Sequence, residues 1–239
     1  MKTLHMEEES HKPKVIVLKQ QIDKDGVEEL IDSKKTGYFR HLLQKPPKNE
    51  IHVDSLALNY EPFMILSGTY EADFLRRMIH AIKVSHNAKE IILGDGIFPT
   101  NQKSLFMKKI VQNGKNKVQL EFDEHIFVSE IRKITLDHHG TERTFPYKLE
   151  SISKENYPKQ VLEKNTVKEF EITTKDAIKK LESTLQEMSF DYEVKNLNKN
   201  FVLDSVTEVY VPIYEARLIG PKKKVEIMRI DAVTKKISQ

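Results

Sequence analysis

Short apolar runs and alternating stretches dominate the chain, and a few segments carry helical spacing instead. Val15, Ile16, Val17 and Leu18 form a compact apolar run that predicts a strand. Val27, Leu30 and Ile31 follow at i, i+3, i+4, which places them on one face of a helix. Asp25, with Glu28 three residues on, predicts its capped start. Lys45-Pro46-Pro47-Lys48 stops it. From Ile51 to about Tyr70 a long strand is predicted, with Leu56, Leu58, Tyr60, Pro62, Met64 and Leu66 on one parity. Proline has no N–H for a ladder, so Pro62 predicts an edge position or a bulge, and Gly68 a bend.

Two further apolar runs lie around Met78–Val84 and Ile91–Leu93, with Asn87 in the turn between them and Gly94-Asp95-Gly96 as a second turn. Leu105, Phe106, Ile110 and Val111 predict a short helix ended by Asn113-Gly114. Val118, Leu120 and Phe122 alternate, as do Ile126 and Val128, then Ile134 and Leu136. These read as separate antiparallel strands joined by polar turns. Residues 146–165 are polar and form a candidate linker. Phe170 and Ile172 then predict a strand, Thr173 with Asp176 a capping box, and Ile178, Leu181, Leu185 and Met188 an amphipathic helix. Strands are expected at Phe201–Leu203, Val209–Leu218 and Val225–Ile230, with Gly220-Pro221 turning between the last two.

The two ends of the chain resemble each other. Asp54-Ser55 precedes Tyr60-Glu61-Pro62, and Asp204-Ser205 precedes Tyr210-Val211-Pro212 in the same spacing, an offset of 150 (54 to 204). Lys24-Asp25-Gly26-Val27 with Leu30 matches Lys175-Asp176-Ala177-Ile178 with Leu181 at an offset of 151 (24 to 175). Downstream, Ile82-Lys83-Val84 through Ile91 matches Met228-Arg229-Ile230 through Ile237. Shared order and register predict a duplicated unit. The expected fold is α+β: two related modules, each a helix on an antiparallel sheet, flanking a strand-rich insertion. The expected boundaries are a flexible tail at 1–12, a first module at 13–100, an insertion and linker at 101–165 and a second module at 166–239.

Charge narrows the function. Lys+Arg number 39 against 36 Asp+Glu, a net charge of +3, interspersed along the chain. This lacks the concentrated basic stripe of a strong nucleic-acid binder. With no cysteine, thiolate nucleophiles, disulfides and thiolate zinc sites are excluded. No run of apolar residues reaches bilayer-spanning length, and the start of the chain carries no apolar secretory core. Cytoplasmic residence without a membrane partner is the expectation.

The last third resembles a known module. A helix, a tyrosine-bearing strand, a hairpin and then Arg229-Ile230-Asp231-Ala232-Val233-Thr234-Lys235 are similar to the ending of PepSY-type domains, which are small cystatin-like α+β units. That family ends in a valine-Asp-Ala-x-Thr-Gly turn, and Lys235 stands here in place of the glycine. The resemblance covers about the last 70 residues. It implies a role in inhibiting or regulating partners. Such domains are usually exported, a setting that does not carry over to a chain without a signal.

Candidate chemistry is sparse. Leu136-Asp137-His138-His139-Gly140 looks like the Asp-His-His signature of a manganese phosphoesterase family, since a carboxylate and two imidazoles can ligate such an ion. The plainer reading is a polar turn between strands, with Gly140 supplying a positive φ. Lys222, Lys223 and Lys224, with Arg76 and Arg77, could touch phosphate, and Phe74 and Tyr70 could stack on bases. Tyr60, Pro62, Tyr210 and Pro212 are the remaining binding candidates, because tyrosine joins apolar area to a polar tip. No phosphate loop or serine elbow is present. The leading expectation is therefore a non-enzymatic binding or regulatory protein without a cofactor, partnered by another protein. The alternatives are a nucleic-acid-associated protein using the basic residues, and a metal phosphoesterase using Asp137, His138 and His139.

Overall fold

The computed structural model describes residues 12–40, 45–85, 87–100, 116–186 and 194–238. They form β1 (Lys14–Val17), α1 (Lys24–Tyr38), β2 (His52–Val84), β3 (Glu90–Leu93), β4 (Gly96–Pro99), β5 (Asn116–Leu136), α2 (Pro158–Lys164), β6 (Thr166–Val167), α3 (Thr174–Gln186), β7 (Val194–Ile219), β8 (Val225–Asp231) and β9 (Ile237–Ser238). The protein is thus mixed α+β and rich in strand. The expected tail and the expected helix near Leu105 lie largely or wholly outside the described residues.

Seven strands form one sheet in the order β5-β2-β7-β8-β9, with β1 beside β7 and β6 beside β2. The sheet is mixed rather than antiparallel as expected. β1 runs parallel to β7, Val17 opposite Tyr210, and β6 runs parallel to β2, Val167 opposite Tyr60. A hydrogen bond extends each pair. The Leu18 amide donates to the Tyr210 carbonyl and the Lys168 amide to the Tyr60 carbonyl, both at 2.9 Å. Adding 150 to 17, 18 and 60 gives 167, 168 and 210, so one set of contacts maps onto the other. Parallel pairing of this kind requires a crossover, and here each leading strand pairs with the tyrosine strand of the other end of the chain.

The helix starts obey the same arithmetic. Asp23, not Asp25, caps α1, and its Oδ1 accepts from the Gly26 amide at 3.0 Å. Thr173 caps α3 as predicted, its Oγ1 accepting from the Asp176 amide at 3.1 Å. The cap positions 23 and 173, and the buried pairs Val27 with Ala177 and Ile31 with Leu181, all differ by 150. The 151-residue offset read from sequence is one too large because it aligned Asp25 with Asp176.

Two expectations about strands are corrected. β2 and β5 are each one continuous strand, where several were expected. In β2 the alternate residues Tyr60, Pro62, Met64, Leu66, Gly68, Tyr70, Ala72 and Phe74 are all buried, so the alternation runs through Gly68 unbroken. Pro62 belongs to β2, which lies between β5 and β7 in the sheet order and is not an edge strand. Pro212 lies between Tyr210, the last residue paired with β1, and Ile213, the first paired with β8. A residue without an N–H fits where one partner strand ends and the next begins.

The chain divides into two compact units, each discontinuous in sequence. The first comprises 1–68, 131–184 and 202–239, and the second 69–130 and 185–201. In the first, α1 covers one face of the sheet, packing Val27 and Ile31 with Tyr214, Ala216, Leu218, Met228 and Ile230. The opposite face carries Ile16, Leu18, Ile65, Val209, Val211 and Ile213, covered by Phe145, Tyr147, Leu149 and Ile152 from an irregular segment. Burying apolar faces in this way supplies most of the stabilisation.

The second unit contains 69–84 of β2, 116–130 of β5, 194–201 of β7 and the β3–β4 hairpin. Its buried residues include Tyr70, Ala72, Phe74, Val118 and Leu120. The hairpin closes through Gly94-Asp95, with Gly94 at φ +55, a value suited to glycine at the first central position of a tight turn.

Candidate functional site

β5 ends at Leu136, and the next residues make a tight, polar turn. The Asp137 amide donates to the Thr141 carbonyl at 3.0 Å, and Leu136 pairs across the turn with Glu142. Asp137 Oδ1 accepts from the amides of His139, at 3.1 Å, and Thr141, at 2.9 Å. Arg143 Nε donates to Oδ2 at 3.3 Å. Partial burial opposes ionisation of Asp137. The Thr141 and His139 amides and the Arg143 guanidinium outweigh it and hold the carboxyl below its usual range. Gly140, at φ +78, closes the turn, and a Cβ there would sit 2.9 Å from Ile172 Cδ1. The positive φ and the close Ile172 side chain both favour glycine here.

The side chains of His138 and His139 extend from this turn with ring centroids 3.8 Å apart. Glu171, just ahead of α3, is brought to them because its amide donates to the His138 carbonyl at 2.8 Å. His139 Nδ1 lies 2.8 Å from Glu171 Oε2. One ligating atom from each of His138, His139 and Glu171 lies within 4.8 Å of the others. Asp137 is not the carboxylate of this group, since its oxygens serve the turn. Sequence reading missed Glu171, which stands far from the histidine pair along the chain.

A turn of the same design follows β8. The Asp231 amide donates to the Lys236 carbonyl at 2.8 Å, and its Oδ1 accepts from the Val233 and Thr234 amides at 2.8 and 3.1 Å. Lys235, at φ +59, takes the left-handed place that Gly140 takes in the other turn. The Gln21 amide donates to the Ala232 carbonyl at 2.8 Å, as the Glu171 amide does to His138; the donors stand 150 residues apart and the acceptors 94. The sequence-level match of Ile82–Ile91 to this ending is therefore displaced. The segment from Ile134 to Glu142 carries the matching turn.

Tyr147 Oη donates to Asp231 Oδ2 at 2.9 Å. Burial, then the Asp231 charge and this hydrogen bond, push the phenol far above its usual value. Beside it Glu61 is buried and pairs with Arg229 and with Lys168, whose Nζ lies at 2.5 Å. These groups make a charged seam, not a cleft.

The remaining candidates are placed as follows. Tyr60, Pro62 and Pro212 are buried and Tyr210 is half-buried, so they build the core instead of presenting a binding surface. Tyr210 Oη donates to Glu208 Oε2 at 3.0 Å, and burial followed by the Glu208 charge raises its pKa. Arg76 and Arg77 lie on β2 in the second unit, paired with Glu124 and Glu121. They are not in a hairpin matching that of the lysines. Lys222, Lys223 and Lys224 are exposed in the 3-10 turn before β8 of the first unit, with Lys222 and Lys223 at φ +58 and +59. Lys224 Nζ reaches Glu226 Oε1 at 2.6 Å. Much of the cationic charge is therefore shared with neighbouring carboxylates.

No protein family, curated protein or solved structure matches the chain. Among the described residues no helix is long and apolar enough to cross a membrane.

Proposed function

We propose that the protein is a non-enzymatic binding or regulatory protein whose partner is another protein. Its scaffold is read as a duplicated strand–helix–strand module whose two copies exchange their leading strands. The constant offset of 150 across the β1–β7 and β6–β2 pairs and the helix caps supports that duplication, as does the pair of Asp-centred turns, which stand 94 residues apart. The PepSY-like ending of the second copy fits a module of this size.

The observation that carries the binding reading is the apolar surface of the second unit. Ile92 and Ile97 face each other across the β3–β4 hairpin and are 64% and 63% exposed. Phe127 and Ile79 are exposed to 63% and 61%. Isolated exposed aliphatics need no explanation, but a cross-strand pair of isoleucines on a hairpin, with further large apolar side chains in the same unit, suits a protein interface.

The test compares immobilised full-length protein with an Ile97→Lys/Phe127→Lys variant of unchanged melting temperature. A partner captured by the wild type, lost by the variant and rebound from purified components supports the reading. An identical captured set from both overturns it.

A further inference from the structure

We propose that His138, His139 and Glu171 bind a divalent transition-metal ion. Two imidazoles and one carboxylate are a ligand set suited to zinc and its first-row neighbours. The three ligating atoms already lie within 4.8 Å of one another, and the closest two are 2.8 Å apart. Ligands about 2.1 Å from a tetrahedral ion stand roughly 3.4 Å from each other. Small side-chain rotations reach that spacing, because His139 and Glu171 are exposed and His138 is half-buried.

The backbone beneath the trio is fixed before any ion arrives. Asp137 holds the His139 amide, and the Glu171 amide is bonded to the His138 carbonyl. Preorganisation of this kind lowers the cost of bringing three ligands together.

The turn after β8 acts as an internal control. It is one residue longer but likewise closes on an aspartate that accepts the amide two residues on, and it has the same cross-connection, yet it carries Ala232, Val233 and Gln21 where the first turn carries His138, His139 and Glu171. The architecture therefore works without these three side chains. They are an addition to it, and all three additions are ligand types. A bound ion would tie the turn after β5 to the segment leading into α3.

The test is calorimetric titration of the chelator-treated full chain with zinc, repeated with cobalt to read the d–d absorption. One equivalent is expected to bind and to raise the melting temperature. His138→Ala/His139→Ala should abolish binding. Glu171→Gln should weaken it by at least the roughly 10- to 100-fold that loss of an outer-shell partner costs. His5→Ala/His11→Ala should leave it unchanged. Both site variants install residue types close to those of the other turn, and circular dichroism checks their folding. If the alanine variant does not fold, Glu171→Gln alone decides the matter. Absence of zinc binding, or binding equal to wild type in the site variants, overturns the proposal.

Discussion

Leu18 donates its amide to the carbonyl of Tyr210 at 2.9 Å, joining the strand that begins the described chain to one near its end. The bond caps a parallel pairing that a half-chain could not form. A fragment of residues 137–239 lacks β1 and β2 and leaves β7 paired with β8 alone, with the rest of its backbone open, which favours aggregation. Expressed alone, it should show no cooperative unfolding transition. Co-expression with residues 1–136 should restore one, as read by circular dichroism during urea titration.

Glu61 is the buried carboxylate of the charged seam. Its removal strands Lys168 and Arg229, whose side chains are 33% and 36% exposed and can turn partly to water. Glu61→Ala should therefore cost about 2 kcal/mol, less than the roughly 3–5 kcal/mol of a fully buried pair. Chemical denaturation at neutral pH measures this.

The acid limb of stability should carry the signature of Asp137. Its pKa is lower in the folded protein than in the unfolded chain. Its contribution is therefore complete above the unfolded value and disappears as the pH falls through the folded value. Asp137→Asn should be less stable than wild type at neutral pH, by about 1–2 kcal/mol. The two should converge in acid. Urea midpoints across the acid range provide the comparison.

Gly140→Ala should destabilise the protein by about 2 kcal/mol, combining an unfavourable φ with overpacking against Ile172. The melting temperature reads the effect. The matched position, Lys235, already tolerates a side chain at φ +59, so Lys235→Gly should change stability by only about 1 kcal/mol and should not lower it severely.

Local features were legible in the sequence where a side-chain pattern maps directly onto burial. The even-numbered residues of β2 and the Thr173–Asp176 cap are examples. The Tyr60–Tyr210 match revealed a register that the strand pairs also follow. Other features were not legible. Polar residues between Phe122 and Ile134 imitate turns, yet β5 remains extended because its exposed positions accept them. Parallel pairing leaves no local mark, so the partners of β1 and β6 were invisible. Asp23 and Asp25 are both good caps, and only the fold selects the first. Glu171 could have been found by aligning the segments ahead of α1 and α3 at an offset of 150, where it stands opposite Gln21.

The long-range pairing of β1 with β7 also sets a timetable for synthesis. β1 leaves the ribosome well before its mate at 207–210 is made. The first unit cannot close until β7 has emerged. Its apolar edge waits through that interval, so this chain should fold slowly and benefit from chaperone cover while nascent.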